Sequence, residues 1–231
     1  GSPFAIHGGG HRAPHPPDGT AGCDTGTVIM MSERYFRLPL GRLETNCYTV
    51  DCGGGIAAVI DPGDEPGAVE KLLEDKGLRA GAVLITHGHF DHVGAARALN
   101  EKYGCPVWRS DKDSKLPQPL AGDGFYTELY GDGDTVAVGK MEFRVIATPG
   151  HSMGSVCLVC GDLLFTGDTL FCGSCGRTDF PGGSAAKMAG SLAVLAALPG
   201  NYTVLPGHGP VTDLDTERAC NPFMKTAEAK K

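Results

Sequence analysis

An apolar run, Ala82 to Ile85, opens directly into Thr86-His87-Gly88-His89-Phe90-Asp91-His92, and this junction constrains the chain more than any other feature. A continuous apolar run of that length reads as a strand covered on both faces, which requires packed layers above and below it. Val93 to Tyr103 then has amphipathic spacing, with Gly104 as its stop, so the local order is strand, loop, helix. Alternate side chains of an extended segment point the same way, so His87 and His89 can reach one cation. Asp91 and His92 start the next helix and face elsewhere, which places a second set of donors beside the first.

The remaining histidines repeat this placement. His7, His11 and His15 lie near the N-terminus, whereas the other five follow apolar runs. Thr148-Pro149-Gly150-His151, Phe165-Thr166-Gly167-Asp168 and Leu205-Pro206-Gly207-His208 each set one donor behind a strand and a glycine. Strand tips are where a layered α/β scaffold exposes its chemistry. Imidazole with carboxylate suits zinc, iron or manganese, and without a required cysteine the site can stay open to water. With His87, His89 and His151 on one ion, Asp91, His92 and His208 on the other and Asp168 bridging, two ions would share a water of lowered pKa. The implied chemistry is hydrolysis.

The rest of the sequence fits one layered α/β body with two related halves. In the first half, strands are expected at Tyr35–Leu40, Asn46–Asp51 and Gly55–Ile60, the last stopped by Asp61-Pro62-Gly63. A helix with Pro66 in its first turn buries Val69, Leu72 and Leu73 and stops at Gly77. In the second half, strands are expected near Val107 and at Thr135–Val138, Glu142–Ala147, Ser155–Val159, Leu163–Thr166 and Thr203–Leu205. A helix is expected over Ala185–Leu198, with Met188, Leu192 and Leu195 as core. A last helix is expected near Asp213, capped by Thr212 and ended before Pro222.

Composition excludes several classes. Lys and Arg total 20 against 27 Asp and Glu, a net charge of -7, so no basic stripe is available for a polynucleotide. No apolar run approaches the ~18 residues that span a bilayer, and a cytoplasmic location is expected. Gly1-Ser2 resembles an expression scar, and residues 1–27, rich in Gly, Pro and His, read as a disordered leader ahead of a hydrolase body over 28–231. Nine cysteines, an odd number, fit reduced thiols better than a disulfide framework. Cys157 and Cys160 fall in a strand, where residues three apart face opposite sides and cannot share an ion. Cys172 and Cys175 fall in a loop beside Asp168 and read as a redox pair or an adventitious metal site.

Together T-H-G-H-F-D-H-V-G, T-P-G-H-S, F-T-G-D-T-L-F and L-P-G-H-G resemble the metallo-β-lactamase superfold, and specifically its glyoxalase II (hydroxyacylglutathione hydrolase) branch. The resemblance runs from about Tyr35 to Met224. It takes in Gly41 to Tyr48, Asp61-Pro62-Gly63, Gly176 to Gly183 and Asn221-Pro222-Phe223, which look like the short bacterial members. It implies a four-layer αββα sandwich with metals at one edge, and carries the ligand roles onto His87, His89, Asp91, His92, His151, Asp168 and His208. It also implies a thioesterase in which a bridging hydroxide attacks the carbonyl, Asp91 orients that nucleophile, and two divalent ions, zinc first and then iron or manganese, stabilise the oxyanion. A small-molecule thioester such as S-lactoylglutathione is the implied substrate, with neither nucleic acid nor membrane as partner.

Departures from the branch bear on the substrate. Only 23 residues follow His208, where longer members carry a helical domain that grips glutathione. In Cys175-Gly176-Arg177-Thr178-Asp179, Arg177 can replace the branch's substrate-binding Lys, but Asp179 stands at its Tyr. Arg177 therefore reads either as a substrate contact or as the partner of Asp179. Alternatives on the same fold are a single-iron persulfide dioxygenase, which G-C-G-R-T-D-F resembles, a lactonase or β-lactam hydrolase, and a metal-stabilised binding module without turnover.

Overall fold

In the computed structural model, residues 29–32, 34–114 and 116–228 are described, so the expectation for residues 1–27 lies outside them. Within the described residues, seven strands form a first sheet in chain order. These are β1 (Ile29–Ser32), β2 (Tyr35–Leu40), β3 (Thr45–Asp51), β4 (Ile56–Ile60), β5 (Arg79–Leu84), β6 (Val107–Arg109) and β7 (Glu128–Leu129). Pairing is antiparallel as far as β4 and parallel beyond it. Parallel steps need crossovers: α1 (Pro66–Asp75) provides that from β4 to β5, and α2 (Phe90–Val93) with α3 (Ala96–Tyr103) that from β5 to β6, whereas the step from β6 to β7 has no α-helix among the described residues.

The second sheet contains β8 (Thr135–Val138), β9 (Met141–Ala147), β10 (Val156–Cys160) and β11 (Leu163–Gly167). A hairpin, β12 (Leu170–Phe171) with β13 (Ser174–Cys175), leads to α4 (Ala185–Ala196), β14 (Thr203–Pro206) and β15 (Thr212–Asp213). Its spatial order is β15-β14-β11-β10-β9-β8, with β14 parallel to β11 across α4. Helices α5 (Leu214–Cys220) and α6 (Pro222–Glu228) close the described chain.

Strand periodicity explains the layers. Along β4, Ala58 and Ile60 face the second sheet and meet Phe143, Leu158 and Phe165. Ala57 and Val59 face the other way, onto Val69 and Leu73 of α1 and Leu99 of α3. In the second sheet, Leu163 and Phe165 point into the intersheet core, whereas Leu164 meets Met188, Leu192 and Leu195 of α4. Both sheets are thus covered on both faces, which gives the αββα sandwich and accounts for the unbroken apolar runs. Each Val or Leu fully buried in these seams contributes roughly 1.5 to 3 kcal/mol. Cys157 and Cys160 of β10 do fall in different cores, on opposite faces.

Three local expectations are corrected. The helix expected over Val93 to Tyr103 is broken into α2 and α3, because Gly94 N and Ala95 N donate to the carbonyls of Gly63 and Pro62 (3.1 and 2.9 Å). The two segments touch so closely that a Cβ on Gly63 would fall on the Asp91 carbonyl oxygen. Thr212 does not cap α5. Asp213 does, accepting from Thr216 N at 3.0 Å, while the Thr212 hydroxyl donates to Glu217. Helix α5 does end before Pro222, as expected, but it is not the last helix: Pro222 opens α6, where its missing N–H costs no helical bond, and Asn221 Oδ1 accepts from Phe223 N at 2.9 Å. No helix among the described residues is long and apolar enough to cross a membrane.

Candidate metal centre

All seven candidate ligands lie beyond strand ends at one edge of the sandwich. His87 and His89 follow β5, Asp91 and His92 lie on α2, and His151, Asp168 and His208 follow β9, β11 and β14. Three groups of donor atoms result, each within 4.8 Å: His87, His89 and His151; His87, His92 and Asp168; and Asp91, His92 and His208. Asp168 stands between them. Its Oδ1 is 3.4 Å from His92 Nε2, and its Oδ2 is 3.5 Å from His151 Nε2 and 3.6 Å from His208 Nε2.

The rings are oriented by what lies behind them. His151 Nδ1 faces the Arg177 carbonyl at 2.8 Å and His208 Nδ1 faces the Leu43 carbonyl at 3.2 Å. A carbonyl only accepts, so both rings donate through Nδ1 and turn the Nε2 lone pair to the centre. His92 Nδ1 donates to Asp61 Oδ2 at 2.9 Å with the same result. Thr86 Oγ1 donates to Asp61 Oδ2 at 2.6 Å and leaves a lone pair for His87 Nδ1 at 3.2 Å. Asp61 is held at φ 49°, a left-handed conformation costing about 1 to 3 kcal/mol, and its Oδ1 also accepts from Thr86 N at 2.7 Å.

This donor set fits cations. His89 Nδ1 lies 3.1 Å from His87 Nε2 and 2.9 Å from His151 Nε2. Nitrogens ~2.0 to 2.1 Å from a tetrahedral ion stand roughly 3.3 Å apart, so these rings are gathered almost to coordination spacing. His92 Nε2 and Asp168 Oδ1 are buried without a hydrogen-bond partner, a costly arrangement that an ion between them would relieve. Gly207 has to be glycine, since a Cβ there would lie 2.4 Å from Asp168 Oδ1 and 2.7 Å from His92 Cε1.

Charge follows the same geometry. Burial and the neighbouring His92 and His151 rings push His87 well below the ordinary histidine value, and burial with His151 takes His89 down to about 4. Burial also works against the charged form of His92, but the Asp168 and Asp61 carboxylates overcome it and lift the ring to about 9. For Asp91 burial is outweighed by the His208 contact, by His92 and by the Thr45 hydroxyl at 3.0 Å, so its carboxyl is held well below the usual range. His208 is raised despite burial, chiefly by Asp91 at 3.3 Å.

The donors open into a cleft of about 650 Å³ whose walls include Leu43, Phe90, Leu120, Phe171 and Phe180. Arg177 reaches its rim, stacked 3.7 Å from the Phe180 ring centre and forked onto Asp179 through two 2.7 Å bonds. Cys175 also lines the cleft, and both it and Cys172 are free thiols on the β12–β13 hairpin.

Residues 40–208 match the family described as Metallo-beta-lactamase superfamily. The chain belongs to the metallo-beta-lactamase superfamily. Among members of that superfamily, it is 31% identical over 205 residues to the protein named hydroxyacylglutathione hydrolase GloC of Haemophilus influenzae, covering 82% of this chain and 97% of that one. The crystal structure of the BLEG-1 B3 metallo-beta-lactamase is similar with a TM-score of 0.76 and 33% identity, over 82% of this chain and 99% of that one. A di-iron-bound form of TTHA1623 has a TM-score of 0.69 and 37% identity, over 81% and 99% of the two chains. The superfamily's metal-dependent hydrolase chemistry agrees with a cluster suited to divalent ions.

Residues that support the ligands were missed by the sequence reading. Asp61, Thr45 and Thr86 fall within segments that carry the resemblance but were given no role at the centre, and Asp113 lies in none of those segments. Asn46 Nδ2 donates to the Pro206 and Gly209 carbonyls (both 2.9 Å) and Tyr48 Oη donates to Pro206 (2.8 Å), so β3 fixes the loop that carries His208. The available clue was the three polar residues Thr45, Asn46 and Thr49 in one strand, all of which are buried.

Proposed function

We propose that this chain is a two-metal thioesterase of the hydroxyacylglutathione hydrolase type, acting on a small-molecule thioester such as S-lactoylglutathione. The observation that carries the reading is the position of Asp168, whose two carboxylate oxygens face imidazoles of both donor groups. His87, His89 and His151 would hold one ion, Asp91, His92 and His208 the other, and Asp168 both. Zinc is the first candidate and iron or manganese the next, since imidazole and carboxylate suit all three. Divalent ions held there supply a water whose pKa falls toward ~7 and positive charge beside the carbonyl oxygen.

The chain's own residues do the rest. Asp91, held ionised by His208 and His92 against its burial, remains an acceptor that can orient a water proton at Oδ2. Leu43, Phe90 and Phe180 exclude bulk water from the acyl group. Arg177, on exchanging Asp179 for a substrate carboxylate, would anchor the carrier end. A thiolate with a pKa near ~8.5 departs without an acid, which suits a cleft whose one thiol, Cys175, is pushed up by burial.

Metal analysis of the purified chain beside an S-lactoylglutathione assay tests this reading. Two ions with turnover support it. A single redox-active iron with consumption of oxygen would replace it by an oxidative reading, and two ions with hydrolysis only of lactones or β-lactams would remove the thioester.

A further inference from the structure

Asp113 ends a short 3-10 turn, Asp111–Asp113, that follows β6, and is only 4% exposed although it is a carboxylate. Its partners are neutral and come from two separate ligand-bearing loops. Oδ2 accepts from Gly88 N and from Ser152 Oγ, both at 2.8 Å, and Oδ1 accepts from Gly154 N at 2.6 Å. Gly88 lies between His87 and His89, and Ser152 is the residue after His151. Both glycines are required by this approach: a Cβ on Gly154 would sit 2.5 Å from Asp113 Cγ, and one on Gly88 would sit 2.9 Å from its Cβ.

Burying a carboxylate away from any cation is costly, and the cost is offset only when several donors converge on it. Here they converge from the two segments whose rings meet at His89 Nδ1, 3.1 Å from His87 and 2.9 Å from His151. The other donors are held by different groups: His92 by Asp61, Asp91 by Thr45 and His208 by the Leu43 carbonyl.

We propose that Asp113 is a positioning residue for the His87, His89 and His151 subsite alone, fixing the distance between its two loops and so the affinity of one of the two ions. The inference rests on the ligand assignment proposed above. Asn at this position keeps one acceptor oxygen but turns an N–H2 toward a group that already donates, so at least one of the three bonds is lost and the clamp on the two loops is weakened. Ser152→Ala is milder, since the carboxylate keeps both backbone donors.

The test is chelator competition with Zn2+ on the metal-free chain, giving two stepwise affinities for the wild type, Asp113→Asn and Ser152→Ala. A His151→Ala chain identifies which step belongs to this subsite. Removal of groups that orient ligands typically weakens metal binding 10- to 100-fold. Asp113→Asn is therefore expected to weaken the His151-dependent step by that factor and the other step by less than about 3-fold, with Ser152→Ala showing the same selectivity at a few-fold. A merely structural role would lower the unfolding midpoint of the metal-free chain and leave both affinities unchanged, which overturns the proposal. Equal weakening of both ions also overturns it. Should Asp113→Asn not fold, Ser152→Ala decides alone, an unchanged His151-dependent step being the refutation. A wild-type chain that binds fewer than two ions would remove the ligand assignment and this inference with it, whereas two ions indifferent to Asp113 would remove the inference only.

Discussion

Replacing Asp61 by Asn tests whether the ligands are held by the charge of that carboxylate or only by its shape. Asp61 is 2% exposed and accepts three bonds: Thr86 N on Oδ1 at 2.7 Å, and Thr86 Oγ1 and His92 Nδ1 on Oδ2 at 2.6 and 2.9 Å. The amide oxygen can keep Thr86 N, but the N–H2 then faces a hydroxyl and a ring nitrogen that both donate. His92 can restore one contact by accepting at Nδ1, which moves its proton to Nε2 and removes the lone pair aimed at the centre. Hydrogen bonds to charged groups contribute about 1.5 to 3 kcal/mol each, so losing two and regaining a weaker one costs about 3 kcal/mol. At roughly 2 to 4 °C per kcal/mol for a chain of this size, the metal-free protein should melt about 6 to 12 °C lower. The ion that depends on His92 and His208 should bind 10- to 100-fold more weakly. Calorimetric melting and chelator competition read the two effects separately. A variant that melts within about 2 °C of wild type and holds both ions unchanged would refute the account of His92 as a ring oriented by Asp61.

Other perturbations follow from the same contacts. Gly207→Ala should displace the Asp168 carboxylate and lower the metal stoichiometry, read by elemental analysis; two ions per chain would contradict the close approach at that loop. Asp179→Ala frees the Arg177 guanidinium and should lower KM for a thioester with a carboxylate on its thiol carrier, while Arg177→Ala should raise it, each by a few-fold and with little change in kcat; no KM response to either excludes Arg177 as a substrate contact. In the metal-free chain His92 is raised to about 9, so it carries a proton at pH 7 that an ion must displace. Metal affinity should therefore rise with pH toward that value, by about one order of magnitude per pH unit for each proton displaced, and titration calorimetry in buffers of different ionisation heat should detect proton release at pH 7.

Much of the architecture was legible because the central strands are buried on two faces. Ala57 to Ile60 and Leu163 to Phe165 are continuous apolar runs, and only a layer on each side explains them. Tyr35–Leu40 and Thr135–Val138 were located to the residue, since Gly and charged turns bound them. The two-residue strands β7, β12, β13 and β15 left no trace, because two residues have no period to read. The break between α2 and α3 was invisible for a different reason. Its sequence is compatible with one helix, and the interruption comes from Pro62 and Gly63, some thirty residues upstream, whose carbonyls take the N–H groups that a continuous helix would have used.

The candidate centre divides along a similar line. Its candidate ligands stand out because histidine and aspartate gathered behind apolar runs and glycines are rare combinations, so most are marked by their own neighbours. The groups that aim those ligands are marked by nothing local. Asp113 sits in Ser110-Asp111-Lys112-Asp113-Ser114-Lys115, which reads as an ordinary solvated turn, yet it is the acid among them that reaches Gly88 and Gly154. Asp61 looks like a turn residue and instead carries His92 and Thr86. Ligand identity is a property of short sequence, whereas ligand orientation depends on contacts across 25 and 31 positions. Two chains with the same ligand motifs can therefore differ in how tightly each subsite holds its ion, and the buried carboxylates behind the rings are where that difference would be set.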